Sequence, residues 1–139
     1  MKKVLIFSFI LTFVFSCSID NDSDENAAYT DIIPIQSADF PDYFDFGRTH
    51  EITFNYLKPS TCHSFYDLYY VSDENTRTIA VVAYVQVNDD CETLTNESVE
   101  GSFNFRADEP TGTFYTFKLW QGTDDNGEDV FITYEVEVQ

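Results

Sequence analysis

Hydrophobic and polar residues alternate along most of the chain with a period of two. In His50-Glu51-Ile52-Thr53-Phe54-Asn55-Tyr56, the residues Ile52, Phe54 and Tyr56 fall on one face and the polar residues on the other, the signature of a half-buried strand. The same pattern recurs at His63 to Val71, Arg77 to Val87, Val99 to Arg106, Thr113 to Trp120 and Asp129 to Val138. Each run is bounded by turn-forming residues such as Ser72-Asp73-Glu74-Asn75 or Asp124-Asp125-Asn126-Gly127. Ile32 to Gln36 begins the series, and Pro34 within it suits an edge strand. Seven strands are predicted. Their inward sets are Ile79, Val81, Ala83, Val85 and Val87; Val99, Phe103 and Phe105; Tyr115, Phe117 and Leu119; and Ile132, Tyr134, Val136 and Val138. No stretch carries a helical period of useful length.

Seven short strands punctuated by turns over residues 30–139 predict an all-β domain, a seven-stranded antiparallel immunoglobulin-like β-sandwich, with a small barrel as the alternative. Gly112-Thr113-Phe114-Tyr115 resembles the tyrosine corner of such sandwiches, one residue off its usual spacing. The third and fourth strands should form a hairpin about residues 72–75. That hairpin would bring Cys62 and Cys91 together at its open end, so that a disulfide between them acts as a staple. A closed loop of about 30 residues would contribute roughly 3.6 kcal/mol in the chain-entropy picture.

The amino terminus reads differently. Lys2 and Lys3 precede an apolar run from Val4 to Phe15 that is broken only by Ser8 and Thr12. A charged start followed by a short apolar segment predicts a secretory signal over residues 1–16, too short for a bilayer crossing of about 20 residues. Its end, Val14-Phe15-Ser16-Cys17, resembles the bacterial lipobox, which implies cleavage before Cys17 and acylation (palmitate or a similar fatty chain) of that cysteine. An ordinary secretory signal is the alternative. Lipidation would also explain an odd count of three cysteines in an exported chain, leaving Cys62 and Cys91 to pair in an oxidising compartment. Residues 17–29 carry Asp20, Asp22, Asp24 and Glu25 with almost nothing to bury, the composition of a disordered acidic tether.

Composition narrows the function. Seven Lys and Arg against 25 Asp and Glu give a net charge of −18, and removal of residues 1–16 would take away Lys2 and Lys3 but no acid. Such a chain lacks the basic surface that nucleic acid requires, so no nucleic-acid partner is expected. His50 and His63 stand outside any H-E-x-x-H spacing, no Walker loop, G-x-S-x-G or G-x-G-x-x-G occurs, and Cys62 and Cys91 lack C-x-x-C spacing. No catalytic residue, metal ligand or cofactor is therefore assigned, and the chain is read as a non-enzyme. Two features keep a ligand in view. The loop Asp124 to Asp129 could gather oxygens for Ca²⁺, although Asn-Gly between strands equally predicts a hairpin turn. Phe40, Tyr43, Phe44, Phe46 and Trp120 could stack on sugar rings if exposed, or pack in the core.

The signal, the acidic tether, Phe40-Pro41-Asp42 with Phe46-Gly47, and the ending Phe117-Lys118-Leu119-Trp120-Gln121-Gly122 through Asn126-Gly127-Glu128-Asp129 to Tyr134-Glu135-Val136 resemble the small lipoproteins of Bacteroidota, particularly flavobacteria. The acidic cluster after Cys17 resembles their surface-export signal, a solvated linker whose acids avoid anionic headgroups being the alternative. The resemblance implies an envelope location, lipid-anchored to the outer membrane and exposed at the cell surface, and a β-sandwich; a protein or glycan ligand is expected only by analogy with immunoglobulin-like modules and from the aromatics above. It transfers no catalytic residue.

Overall fold

A computed structural model describes residues 28–139; Cys17, the signal and the acidic tether lie outside the described residues. Among the described residues, nine strands form two sheets. The strands are β1 (Ala28–Ile33), β2 (Ile35–Asp39), β3 (Tyr43–Phe44), β4 (Thr49–Leu57), β5 (His63–Asp73), β6 (Thr76–Gln86), β7 (Ser98–Arg106), β8 (Phe114–Thr123) and β9 (Asp129–Val138). The smaller sheet has the order β2-β4-β7 and is antiparallel throughout. In the larger one, β5 flanks β6 on one side, and the order β6-β8-β9-β3 runs from the other, with β1 also on β6.

The count differs from the expected seven for two reasons. Pro34 has no N–H to donate to a ladder, and the chain changes sheets there: β1 pairs with β6 in the larger sheet, β2 with β4 in the smaller. Ala28 and Tyr29, assigned to the tether by composition, pair with Gln86 and Val85 in β1. The second addition is β3, two residues that lie parallel to the end of β9. The expected all-antiparallel arrangement also needs correction. Besides β3 and β9, strands β6 and β8 run parallel, with Thr76–Ile79 beside Thr116–Leu119.

Alternation explains the core. Ile52, Phe54 and Tyr56 of β4 and Phe105 of β7 face Ile79, Val81 and Ala83 of β6, Tyr115, Phe117 and Leu119 of β8, and Val136 and Val138 of β9. Phe44 sits among them, with ring centroids 5.0 Å from Phe105 and 5.9 Å from Phe117. Val85 is buried and Val99, Phe103, Ile132 and Tyr134 are partly buried, as the inward sets require. Val87 is not. It follows the last residue of β6 and is 41% exposed, because alternation ceases to place a side chain once the ladder ends.

The hairpin of β5 and β6 turns at Glu74 and Asn75, between the paired Asp73 and Thr76. Cys62 and Cys91 are joined by a disulfide at its open end, with Cα atoms 5.4 Å apart. Cys62 precedes β5 directly, whereas Cys91 lies five residues beyond the end of β6. A turn that bonds the Cys91 N–H to the Asn88 carbonyl (3.3 Å) folds it back.

Candidate functional site

The outer face of the larger sheet holds an aromatic groove, and its origin is topological. One side of β6 is shared by two strands: Val81 to Gln86 pair with β1, and Thr76 to Ile79 with β8. Ala80 falls between the two ladders. Beyond it β1 and β8 part, because β1 ends at the Pro34 corner and β8 carries a bulge between Trp120 and Gly122. Gly122 takes a φ of +106° at this bulge, a conformation suited to glycine, and a Cβ there would lie 3.8 Å from Pro34 Cγ. The Gln121 side-chain amide donates to the Ile35 carbonyl. Corner and bulge are thus held together, and the gap above Ala80 stays open.

The groove encloses about 600 Å³ and is lined by Thr30, Ile32, Tyr69, Thr78, Ala80, Trp120, Asp129 and Phe131, with Asp31 at its margin. Parity places these side chains. Tyr69 pairs with Ala80, and Trp120 with Phe131, so each pair shares a face, and that face is the one opposite Ile79, Val81 and Leu119 of the core. Ala80 is buried and forms the floor; Tyr69 is 50% exposed and Trp120 partly exposed. The Trp120 indole N–H donates to Asp129 Oδ1 at 2.8 Å, which fixes the ring plane. The Lys118 ammonium lies 4.5 Å from the Phe131 ring centroid, a cation–π contact.

Of the aromatics singled out from sequence, Trp120 alone lines this groove. Phe44 is fully buried, and Phe40 packs between Phe117 (4.6 Å) and Tyr134 (4.8 Å). Tyr43 and Phe46 are exposed. Sequence reasoning missed Tyr69 and Phe131, since only the register of β5 on β6 and of β8 on β9 brings them to Trp120.

The acidic loop from Asp124 to Asp129 is a hydrogen-bonded hairpin turn. Gly127 donates to the Asp124 carbonyl (3.0 Å), and Asp124 donates to the Glu128 carbonyl (2.8 Å). Asp124 Oδ1 accepts the N–H of Asn126 (2.8 Å) and of Glu128 (3.0 Å). These bonds, that from Glu128 foremost, hold the Asp124 carboxyl below the usual range. Among the described residues, no three His, Cys, Asp or Glu side chains gather as a metal site.

Both histidines are engaged in local structure. His50 Nε2 accepts the Asp45 N–H at 3.0 Å. His63 lies between Ser60 Oγ (2.7 Å to Nδ1) and Asp31 Oδ2 (3.4 Å to Nε2), so serine, histidine and aspartate meet. The ring nitrogens are used in the reverse of the hydrolase order. Ser60 Oγ also accepts the Cys62 N–H (3.2 Å). The trio thereby ties β1 to the turn that precedes β5, next to the disulfide.

The chain matches no family model, no curated protein and no solved structure.

Proposed function

We propose that this chain is a lipid-anchored lipoprotein of the cell envelope, displayed at the surface of the outer membrane, whose β-sandwich is a non-enzymatic binding module. The anchoring rests on the charged start, the short apolar run and Cys17, and on the likeness to Bacteroidota lipoproteins. Three acyl chains, each buried methylene contributing about 0.8 kcal/mol, hold a protein on a bilayer essentially permanently. The immunoglobulin-like reading of the sandwich is supported by Tyr115, whose hydroxyl accepts the backbone N–H of Asp108 and Glu109 upstream of its own strand. The binding role rests on one observation: the groove above Ala80 presents exposed aromatic surface on the face turned away from the core.

Glycan binding is the second reading, favoured by the position of Trp120 in that groove. The anchoring is tested by fractionating cells that express the full chain or its Cys17→Ala variant. Wild type should remain with the outer membrane and carry an acyl mass addition, and the variant should be soluble. A variant that still partitions into detergent would refute the anchor.

A further inference from the structure

We infer that the groove of Tyr69, Trp120 and Phe131 is a seat for an uncharged oligosaccharide, an inference that rests on the glycan reading above and names its site and ligand class. Three properties of the groove point to that chemistry.

The first is the aromatic surface. The stacked rings of the molecule run through the core and out to Phe65 and Tyr70; among the described residues, Tyr69, Trp120 and Phe131 stack on none of them. Tyr69 is exposed and Trp120 and Phe131 are half-buried, and aromatic surface along a groove suits the C–H face of a pyranose, which is apolar while its rim carries hydroxyls. A ring held in one plane loses little freedom on binding, and the bond from Trp120 to Asp129 supplies that restraint.

The second is the choice of polar groups. Thr30 and Thr78 stand on the outer face of β1 and β6, beside the rings. Asp129, which lines the groove, uses Oδ1 for the indole, and a carboxylate accepts from sugar hydroxyls. Such a set exchanges hydrogen bonds with hydroxyls in both directions.

The third is charge. No Lys or Arg lines the groove, whereas Asp31 and Asp129 do; the Lys118 ammonium lies over the Phe131 ring. The chain carries −18 overall, a field that disfavours uronic or sulfated sugars. A neutral guest of sugar shape meets no such repulsion, and about 600 Å³ lies within the usual range for small-ligand sites, about 300–1,000 Å³.

The test uses the full chain in a non-glycosidic detergent, titrated with cellohexaose, laminarihexaose and mannohexaose, and with oligogalacturonate and a chondroitin hexasaccharide as charged counterparts. Trp120 is the single tryptophan, so its emission reports the seat directly, and calorimetry gives the affinity. At least one neutral hexaose should bind with a blue shift and outcompete both charged probes. Trp120→Ala should weaken that binding by about tenfold or more, and Tyr69→Ala by several-fold. Tyr66→Ala, at an exposed ring on the same strand but outside the groove, should leave it unchanged. Far-UV circular dichroism establishes that each variant is folded. Preference for a charged probe, binding that Trp120→Ala and Tyr69→Ala leave intact, or no binding of any probe at millimolar concentration would each overturn the inference. The Cys17→Ala fractionation judges the anchored-lipoprotein reading separately, whichever result is obtained.

Discussion

Tyr115 closes the corner through which the chain leaves the smaller sheet, its hydroxyl accepting the backbone N–H of Asp108 at 3.2 Å and that of Glu109 at 3.1 Å. Its ring is buried against Phe105 at 4.7 Å, edge to face, so one side chain joins the core to the link between β7 and β8. Tyr115→Phe keeps the ring and removes the acceptor, which leaves two part-buried donors without it. The expected cost is about 1–2 kcal/mol, read as a lower urea midpoint at unchanged slope. A loss of core packing should not accompany it.

Gly101 of β7 lies opposite Phe54 of β4. A Cβ on Gly101 would sit 2.5 Å from Phe54 Cζ and 2.8 Å from Cε2, and Phe54 is fully buried, so the ring has no solvent to retreat into. Gly101→Ala should therefore destabilise by about 1–3 kcal/mol. The double variant Gly101→Ala/Phe54→Leu should show a smaller penalty than the two single changes added together, since a shorter side chain removes the clash. Strict additivity in chemical denaturation would contradict that packing.

The bond between Cys62 and Cys91 closes a loop at 29 residues' separation. Reducing it, or replacing both cysteines by Ser, should lower stability by up to about 3.6 kcal/mol. The hairpin should keep its register, because β5 and β6 pair along their length without it. Amide exchange checks this: protection at Ala80 and Val81 should fall with global stability, whereas the residues around Asn88 and Cys91 should lose protection first.

Where alternation met a ladder that was local in the chain, the structure could be read from sequence. Ile52, Phe54 and Tyr56, or Tyr115, Phe117 and Leu119, face inward because each strand has one wet side and one dry side, and the hairpins form at the turn residues that mark them. What escaped the sequence depends on distant pairings. Nothing local to Thr76–Ile79 announces a parallel neighbour at Thr116–Leu119, and Tyr43–Phe44 is too short for any period to register. Pro34 marks an edge in the sequence, but its effect, sending one half of the strand to each sheet, needs both sheets in place. The groove inherits that limit. Trp120 stood out by its residue type, while Tyr69 looked like one more tyrosine in a tyrosine-rich strand until β6 set it beside Ala80.

The turn at Asp124 makes a prediction about acid. Its carboxylate accepts two backbone N–H groups, from Glu128 and Asn126, and these hold the group below its ordinary value of 3.8. A carboxyl that titrates lower when folded than when unfolded stabilises the fold in its ionised form. That stabilisation is complete above the unfolded-state value and is lost as pH falls through the lower folded one. Asp124→Ala should consequently reduce the melting temperature at pH 7 and pH 5, with the gap to wild type narrowing as pH falls below the ordinary value of 3.8. Asp124→Asn should fall between the two, since an amide oxygen accepts the same N–H groups without charge. The same scans separate turn from metal site. With Oδ1 already occupied by two donors, about 1 mM Ca²⁺, the affinity range of extracellular calcium modules, should leave the wild-type melting temperature unchanged at pH 7. A rise that Asp124→Asn abolishes would assign the loop to calcium instead, because a ligand bound only by the folded chain raises its melting temperature in proportion to occupancy.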